Sequence, residues 1–308
     1  MITFGSDPEF MLTRDGEYCS AIGVVQGDKE NRINIQGHEF FWDNVMAECA
    51  VKPSKSKQET LKNFQEFLGI YADMVRPYKL TTQASQAYPD SELRHDGARE
   101  VGCDPDWCVY EMKLMDAPKA EIKNGNFRSC GGHIHLGDTG KVLRTDEESP
   151  LFVVHMLDLF IGVPSLWLDR DPSSPARRSL YGQAGRYRVT DYGLEYRSLG
   201  NFWLQSPQLV GLIYDLAVFA VEFVGSGSIN NVWSFDEEVF YSSDNLTDAF
   251  TCSMYDPQQL KAGIDSGSKE LVKKHWSIAQ SLLPESLLQD IKRESLAARG
   301  DLYENWQL

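Results

Sequence analysis

Two histidines two residues apart, His133 and His135, stand in the segment GGHIHLG at residues 131–137. Alternate residues of a β-strand point to the same face of a sheet, so a strand here would present His133 and His135 side by side. The surrounding glycines let a ligand or another backbone come close. Imidazoles in such a place bind a metal, contact phosphate or transfer protons. The segment lacks the GK[ST] ending of a phosphate-binding loop, so any such chemistry would come from the imidazoles.

Carboxylates form a second set of candidates within the first 50 residues. Asp7 and Glu9 are two residues apart, so in a strand both carboxylates could reach one cation. Pro8 between them cannot donate a ladder hydrogen bond, which indicates a sheet edge or a bulge. Glu48 stands in the apolar run AECAV, where a buried carboxylate must protonate, pair or bind a metal. The alternatives are solvated strand acids for the pair and a structural ion pair for Glu48.

A third set combines arginines with an acid. Arg186 and Arg188 precede the segment YGLEYR at residues 192–197, in which Glu195 and Arg197 would share a strand face. A carboxylate beside several guanidinium groups suits a metal-bound polyphosphate, because the acid holds the cation and the arginines clamp the phosphates. The alternative is an Arg–Glu network at the surface.

Composition narrows the cofactors and partners. Arg178, in a loop upstream of the arginine set, would add positive charge, yet the chain as a whole carries a formal charge of −15. This charge argues against general nucleic-acid binding, which depends on basic residues. The six cysteines form no CxxC pair, so they indicate free thiols and not a zinc or disulfide framework. Because oxygen ligands outnumber nitrogen ligands, Mg²⁺ or Mn²⁺ fits better than zinc.

The elements that must position these residues are mostly strands in the first half of the chain. The first 53 residues alternate β-prone runs with turns, and residues 78–137 return to short strands and loops. Ser56 opens a capping box, and apolar residues at helical spacing follow it as far as Pro77. We therefore predict an α+β chain with a curved, mainly antiparallel sheet that is covered by helices.

Longer helices are predicted in the second half. Residues 151–168 are apolar but interrupted by His155, Asp158 and Pro164, which indicates a buried helix and not a membrane span. A loop follows over residues 170–188, and then a long helix from Pro207. Further helices are predicted at 257–264, 268–283 and 285–299. No linker interrupts the chain, so we expect one catalytic domain over residues 1–308, with residues 226–308 as a helical C-terminal extension.

The start of the chain, MITFGSDPEF, lacks the basic region and apolar core of a signal peptide. Together with the free thiols, this predicts a cytoplasmic protein that does not associate with a membrane.

In this order, the acidic, imidazole and arginine motifs resemble the glutamine synthetase and glutamate-cysteine ligase superfamily. They are similar in particular to its bacteriophage-type COOH.NH₂ ligase branch, type 2, over about residues 1–225. The sequence departs from larger relatives in having Asp7 where Glu is usual, and in having its own helical C-terminus. The resemblance implies the superfamily's catalytic fold and an ATP-dependent amidoligase.

The resemblance also implies roles for individual residues. Mg²⁺ ions, or Mn²⁺, would be held by Asp7, Glu9, Glu48 and Glu195. ATP phosphates would be contacted by His133 or His135 and by Arg186, Arg188 and Arg197, with catalytic roles for Arg197, Arg188 and His133. Substrate contacts would come from Asn44, Asp104, Asp106 and Arg178.

The implied reaction transfers a phosphoryl group from ATP to a carboxylate, and an amine then attacks the acyl phosphate to form an amide or isopeptide bond. Both substrates would be small molecules or peptides, in the host cytoplasm if a phage encodes the protein. The sequence specifies neither these substrates nor the oligomeric state.

Two other functions stay open at this point. In the first, His133 and His135 bind the metal of a hydrolase with Glu48 as the base, which leaves the arginine set unexplained. In the second, the chain is a non-catalytic relative that binds nucleotide.

Overall fold

A computed structural model describes residues 1–99, 105–116, 125–138, 142–143 and 148–308 of the chain. Its main feature is an eleven-stranded sheet in which neighbouring strands follow the order β3-β4-β5-β1-β11-β13-β12-β8-β9, with β2 and β6 also paired to β1. The ladders of this sheet are antiparallel. Its strands are β1 (Ile2–Arg14), β2 (Glu17–Cys19), β3 (Ile33–Ile35), β4 (His38–Asp43), β5 (Met46–Ser54), β6 (Lys79–Thr81), β8 (Asp106–Cys108), β9 (Lys113–Met115), β11 (Gly132–Asp138), β12 (Arg186–Thr190) and β13 (Gly193–Tyr196).

Two smaller sheets of two strands each complete the β-structure of the described residues. One pairs β7 (Ser85–Ala87) with β10 (Phe127–Ser129), and the other pairs β14 (Trp233–Phe235) with β15 (Phe250–Cys252). The second pair lies within residues 226–308, for which the sequence predicted a helical extension. The mixed α/β character and the large antiparallel sheet are as predicted.

The central strand is β1, which carries Asp7 and Glu9 between β5 and β11. Pro8 therefore lies inside the sheet, opposite Gly132, and the prediction of an edge or bulge at this residue is wrong. The register shift of the β1–β5 ladder falls between Phe4 and Ser6 instead. Since the Glu9 N–H donates to Gly131 on the β11 side, the backbone nitrogen of Pro8 faces β5, and one ladder hydrogen bond is missing there.

The described residues also form ten α-helices. They are α1 (Lys57–Met74), α2 (Ser149–Leu157), α3 (Val163–Leu168), α4 (Ser174–Leu180), α5 (Pro207–Gly225), α6 (Glu237–Ser242), α7 (Pro257–Ser266), α8 (Lys273–Leu282), α9 (Glu285–Leu296) and α10 (Leu302–Trp306). The predicted cap of α1 is confirmed, because the Ser56 side chain accepts a hydrogen bond from the backbone of Glu59 at 3.2 Å. The sequence missed α4, which begins with Ser174-Pro175 inside the predicted loop.

Two helical stretches are long and apolar enough to cross a membrane by composition alone. In the first, α2 continues through a π-helical turn (Asp158–Gly162) into α3, and the second is α5. The most apolar windows of the two are 83% and 61% buried inside the protein. Both helices therefore belong to the hydrophobic core, as predicted for residues 151–168.

The last residues of the chain pack against the rest of the protein. The Trp306 side chain is buried, and its indole N–H donates to the Leu204 carbonyl at 2.8 Å. The Gln65 amide of α1 donates to the Trp306 carbonyl at 2.6 Å. These contacts join α10 to α1 and to the 3-10 turn at Asn201–Gln205.

Candidate functional site

The ladders of four neighbouring strands place the predicted acidic, imidazole and guanidinium groups in one row. Asp7 of β1 pairs with His133 of β11, and His135 of β11 pairs with Glu195 of β13. Glu195 in turn pairs with Arg188 of β12. Directly paired residues of an antiparallel ladder point to the same face, so their side chains meet on one side of the sheet.

Asp7, His133 and Glu195 form a compact cluster at the centre of this row. His133 Nδ1 lies 3.3 Å from Asp7 Oδ1 and 3.6 Å from Glu195 Oε1. One ligand atom from each of the three residues lies within 4.8 Å of the other two. Such a group of two carboxylates and an imidazole has the spacing of a divalent-cation site.

A second imidazole, that of His135, lies against the Asp7 carboxylate. Asp7 Oδ1 lies 3.0 Å from His135 Nε2. The orientation is poor for a hydrogen bond, and both buried atoms lack a hydrogen-bond partner among the described residues. A buried polar atom without a partner is costly, so a cation at Asp7 would stabilise the arrangement.

The cluster opens into a cavity of ≈ 490 Å³. Its charged and polar wall consists of Asp7, Glu48, His135, Arg188 and Glu195, and Arg32 lies at its β5 side. The remaining wall is formed by small or apolar residues: Thr3, Gly5, Ser6, Ala50, Val51, Pro53, Gly137 and Tyr192. The lining runs from β5 to β12 over four strand spacings, or about 19 Å along the sheet at about 4.8 Å per spacing.

The carboxylates of this region differ in their preferred charge. Burial raises the pKa of Glu195 to about 7, and the nearby Asp7 adds to the effect. Burial raises the pKa of Glu9 to about 7, and it raises the pKa of Glu48 well above its usual range with help from Glu9. Burial works against charge at Asp7 too, but His133 and His135 outweigh it and hold the Asp7 pKa well below its ordinary value. Asp7 is thus the carboxylate that stays ionised most readily.

The two histidines also differ. Burial, followed by the positive charge of Arg197, lowers the pKa of His133 to about 3. His133 is therefore neutral and can coordinate a cation through a ring nitrogen. Burial disfavours charge at His135 as well, but Asp7 and Glu195 outweigh it and raise the His135 pKa. Of the two rings, His135 is the one that is protonated more readily.

The arginines divide into a cavity residue and a buried pair. Arg188 lines the cavity, with Nη1 3.7 Å from Glu195 Oε2. Arg186 and Arg197 are both buried and both bind Asp106, Arg197 through its Nε at 3.1 Å. Arg197 also contacts Glu195. Asp106, proposed from the sequence as a substrate residue, therefore acts as the counter-ion of two arginines and lies outside the cavity lining.

The other predicted residues lie around the cluster or away from it. The Glu9 carboxylate accepts a hydrogen bond from the Gly131 backbone at 2.6 Å. Asn44 occupies the turn between β4 and β5 with φ 55°, and its side-chain oxygen accepts from Arg128 at 2.7 Å. Arg178 is buried on α4, 3.6 Å from Asp169. None of these three lines the cavity, and Asp104 lies outside the described residues.

Three residues that the sequence did not single out belong to the site. The Tyr192 hydroxyl binds His135 Nδ1, and Tyr192 lines the cavity. The Tyr181 hydroxyl lies 3.4 Å from His133 Nε2, and the Arg197 guanidinium faces the Tyr181 ring at 5.4 Å. Arg32 lines the far side and stacks on Phe41 at 4.3 Å. Tyr192 opens the YGLEYR segment, but no spacing signal pointed to Tyr181 or Arg32.

Glycines beside the histidines have a steric role. A Cβ atom on Gly131 would overlap the His133 ring, and one on Gly132 would lie 2.6 Å from the Gly200 carbonyl oxygen and from Trp203 Nε1. Only a residue without a side chain leaves room for the His133 imidazole in this position.

The fold and the site together define a mixed α/β protein whose antiparallel sheet carries a cavity of acidic, imidazole and guanidinium groups. The chain belongs to the phage phiEco32-like COOH.NH₂ ligase family, type 2, whose model matches residues 122–308. The family name denotes ligation of a carboxyl group to an amine. The matched part includes β11, β12 and β13 with their site residues, whereas β1 and Asp7 precede it.

Comparisons with solved structures and with curated proteins do not identify a family. A bifunctional glutathione synthetase from Pasteurella multocida is similar in structure, with a TM-score of 0.42 and 10% sequence identity. The match covers 99% of this chain and 48% of the synthetase, so the chain spans about half the length of that protein. No curated protein matches the sequence. Membership of the glutamine synthetase and glutamate-cysteine ligase superfamily stays a prediction.

Proposed function

We propose that this protein is an ATP-dependent ligase of the glutamine synthetase and glutamate-cysteine ligase type, which joins a carboxylate to an amine through an acyl phosphate. The observation that carries the proposal is the row of paired residues from Asp7 to Arg188, which puts cation ligands and a guanidinium on one cavity wall. Phosphoryl transfer needs little covalent help from a protein, but it needs positioned charges of this kind.

Asp7, His133 and Glu195 would hold the divalent cation. A bound Mg²⁺ or Mn²⁺ neutralises charge on the transferred phosphoryl group. The donor set of two carboxylates and one imidazole is less typical of Mg²⁺ than a set of oxygens alone, and it favours Mn²⁺. Glu48 lies on the same cavity wall and would serve a second cation, and Glu9, paired with Glu48, would support it from outside the cavity.

Arg188 is the arginine that we assign to the phosphate groups, because it lines the cavity beside Glu195. Arg197 would act indirectly by holding the Glu195 carboxylate, with Asp106 fixing Arg197 from its other side. His135 would add a positive charge near the transferred group, and its ring is oriented by the Tyr192 hydroxyl. This assignment gives the predicted arginines different tasks.

The cavity is long enough for a nucleotide and a second substrate side by side. Its extent of about 19 Å along the sheet exceeds what a triphosphate alone requires. Its β5 side combines the small or apolar residues Ala50, Val51 and Pro53 with the charged side chains of Glu48 and Arg32. We propose that the carboxylate substrate binds on this side, within reach of the cation cluster. Small molecules and the ends of peptides both fit these dimensions.

The test is an incubation with ATP, Mg²⁺ or Mn²⁺, and pools of carboxylates and amines. We expect ADP and phosphate to appear only with the right pair, together with a product lighter by one water than the two reactants combined. Hydroxylamine in place of the amine should trap the acyl phosphate as a hydroxamate.

A control variant sharpens this test. Glu195→Gln should abolish ADP formation, whereas Glu222→Gln, at an exposed position on α5, should leave it unchanged. If purified protein contains zinc and hydrolyses amides without nucleotide, the proposal fails in favour of a metallohydrolase. Nucleotide binding without any ADP formation would also overturn it.

A further inference from the structure

A second cavity, of ≈ 180 Å³, shares no lining residue with the candidate active site. Tyr196 follows Glu195 on β13 and so points to the other face. The Tyr196 hydroxyl donates to Asp158 at 2.6 Å in the π-helical turn. Tyr110 lies beside this pair and lines the cavity. Burial is the main cause that raises the pKa of Tyr110, and the nearby Asp158 carboxylate adds to it.

Aromatic rings form the floor of this cavity. Tyr110, His155 and Trp233 are each 3% exposed. The His155 ring stacks on Trp233 with centroids 4.1 Å apart and meets Tyr110 edge-on at 4.9 Å. Phe250 forms a wall, and the partly or fully exposed Thr247, Pro257 and Gln258 form the rim. We call this space the His155 cavity.

His155 has an unused hydrogen-bonding atom. Its Nδ1 is buried and has no hydrogen-bond partner among the described residues. Burial lowers the pKa of His155 to about 3, so the ring is neutral and offers either an acceptor or a donor. A buried polar atom of this kind costs free energy unless a ligand or water satisfies it.

The surroundings of the cavity favour a positively charged ligand. The faces of Tyr and Trp rings carry negative potential that attracts ammonium groups. None of the eight lining residues is a Lys or Arg. Asp248 and Asp256, both exposed, directly follow or precede rim residues in the chain. The formal charge of the whole chain, −15, acts in the same direction.

We propose that the His155 cavity binds a small alkylammonium ion, with the ammonium against the aromatic rings of Tyr110 and Trp233. A cavity of this size holds a ligand of about one aromatic ring, since a dry cavity of about 150 Å³ takes up benzene. An amine of four to six heavy atoms fits this space. This site is separate from the ligase cavity and does not rest on its assignment.

The probe is n-butylammonium chloride, titrated into the wild-type protein by calorimetry at neutral pH. We expect saturable binding at one site, and about tenfold weaker binding of the neutral n-butanol, because the alcohol lacks the cation–π attraction. Thr247→Arg, which brings a positive charge to the rim, should weaken n-butylammonium binding at least about tenfold. Tyr241→Ala, at an exposed aromatic outside the cavity, should leave it unchanged.

Two results would overturn the proposal. One is equal affinity for n-butylammonium and n-butanol, which would identify a purely apolar cavity. The other is binding that Thr247→Arg leaves unchanged, which would locate the amine elsewhere. Thr247 is at the rim, so this variant tests the cavity without removing a core residue, and His155→Phe adds a second test if the variant folds.

Discussion

Asp7 and His133 face each other across the β1–β11 ladder, with Asp7 Oδ1 3.3 Å from His133 Nδ1. The two residues are 126 positions apart in the chain. Together with Glu195 from a third strand, these two residues form a candidate cation site, although the three motifs are far apart in the sequence.

Glu195→Gln should remove most of the stabilisation that ATP with Mg²⁺ or Mn²⁺ gives the wild-type protein. Ligand at 100 times its dissociation constant adds roughly 2.7 kcal/mol, or several degrees in melting temperature for a chain of this length. Thermal melts with and without the metal–nucleotide complex measure the effect. An unchanged shift in the variant would contradict the role of Glu195.

His133→Ala should weaken Mn²⁺ binding at least about tenfold, in the range seen when a metal-site group is lost. His135→Ala should not weaken it, because Asp7 favours the protonated form of His135, and a protonated ring beside Asp7 repels a cation. Calorimetric titration with Mn²⁺ compares the two variants. The opposite ranking would transfer the ligand role from His133 to His135.

Arg188→Lys should raise the KM for ATP about tenfold, since a lysine cannot reproduce bidentate contact with phosphate. Arg186→Lys should change KM little, because Arg186 binds the buried Asp106 and not the cavity. Steady-state kinetics of the pair separate the cavity arginine from the buried one. An equal rise in both variants would show that our division of the arginines is wrong.

Asp106→Asn should destabilise the protein by about 3 kcal/mol, because it leaves the buried Arg186 without its counter-ion and Arg197 with Glu195 alone. Asp290→Asn, which breaks the exposed pair with Arg293, should cost less than about 1 kcal/mol. Urea unfolding measures both. A small cost for Asp106→Asn would mean that Arg186 and Arg197 find other partners.

His155 should make stability depend on pH. Its folded-state pKa of about 3 lies below the unfolded value of about 6.5, so the unfolded chain binds an extra proton between these values. The contribution of His155 to the free energy of unfolding is fully present above about pH 6.5, and about 2 kcal/mol of it is lost by pH 5. Urea unfolding at both pH values should show that the wild type loses about 2 kcal/mol more than His155→Phe, since the other buried titratable groups contribute equally to both proteins. Parallel pH profiles would contradict the buried neutral ring.

Several features followed from the sequence because they depend on local pattern. The cap of α1 and the strands that carry Asp7, His133 and Glu195 follow from residue types and spacing over a few positions. The same alternation predicted which side chains within each strand share a face.

Other features depend on contacts between distant segments, and the sequence could not supply them. The sequence predicted the same phosphate-binding role for Arg186, Arg188 and Arg197. In the structure Arg186 and Arg197 bind Asp106, about 80 residues earlier in the chain, and Arg188 lines the cavity. Pro8 predicted an edge strand because a proline nitrogen cannot donate a ladder hydrogen bond. In the structure Pro8 lies in the central strand β1, and the sheet lacks one hydrogen bond there. Arg32 enters the cavity by stacking on an aromatic ring, which no spacing signals.

The row of paired residues has a consequence for how this protein can diversify. Asp7, His133, Glu195 and Arg188 are fixed by backbone ladders, and a slip of one residue in any strand would turn its side chain to the wrong face. Arg32 lies outside the strands, and Tyr192 lies in the turn between β12 and β13. Turns and loops accept substitution more readily than paired strands. New substrates can therefore be acquired at the margins of the cavity while the inherited chemistry of the sheet stays intact.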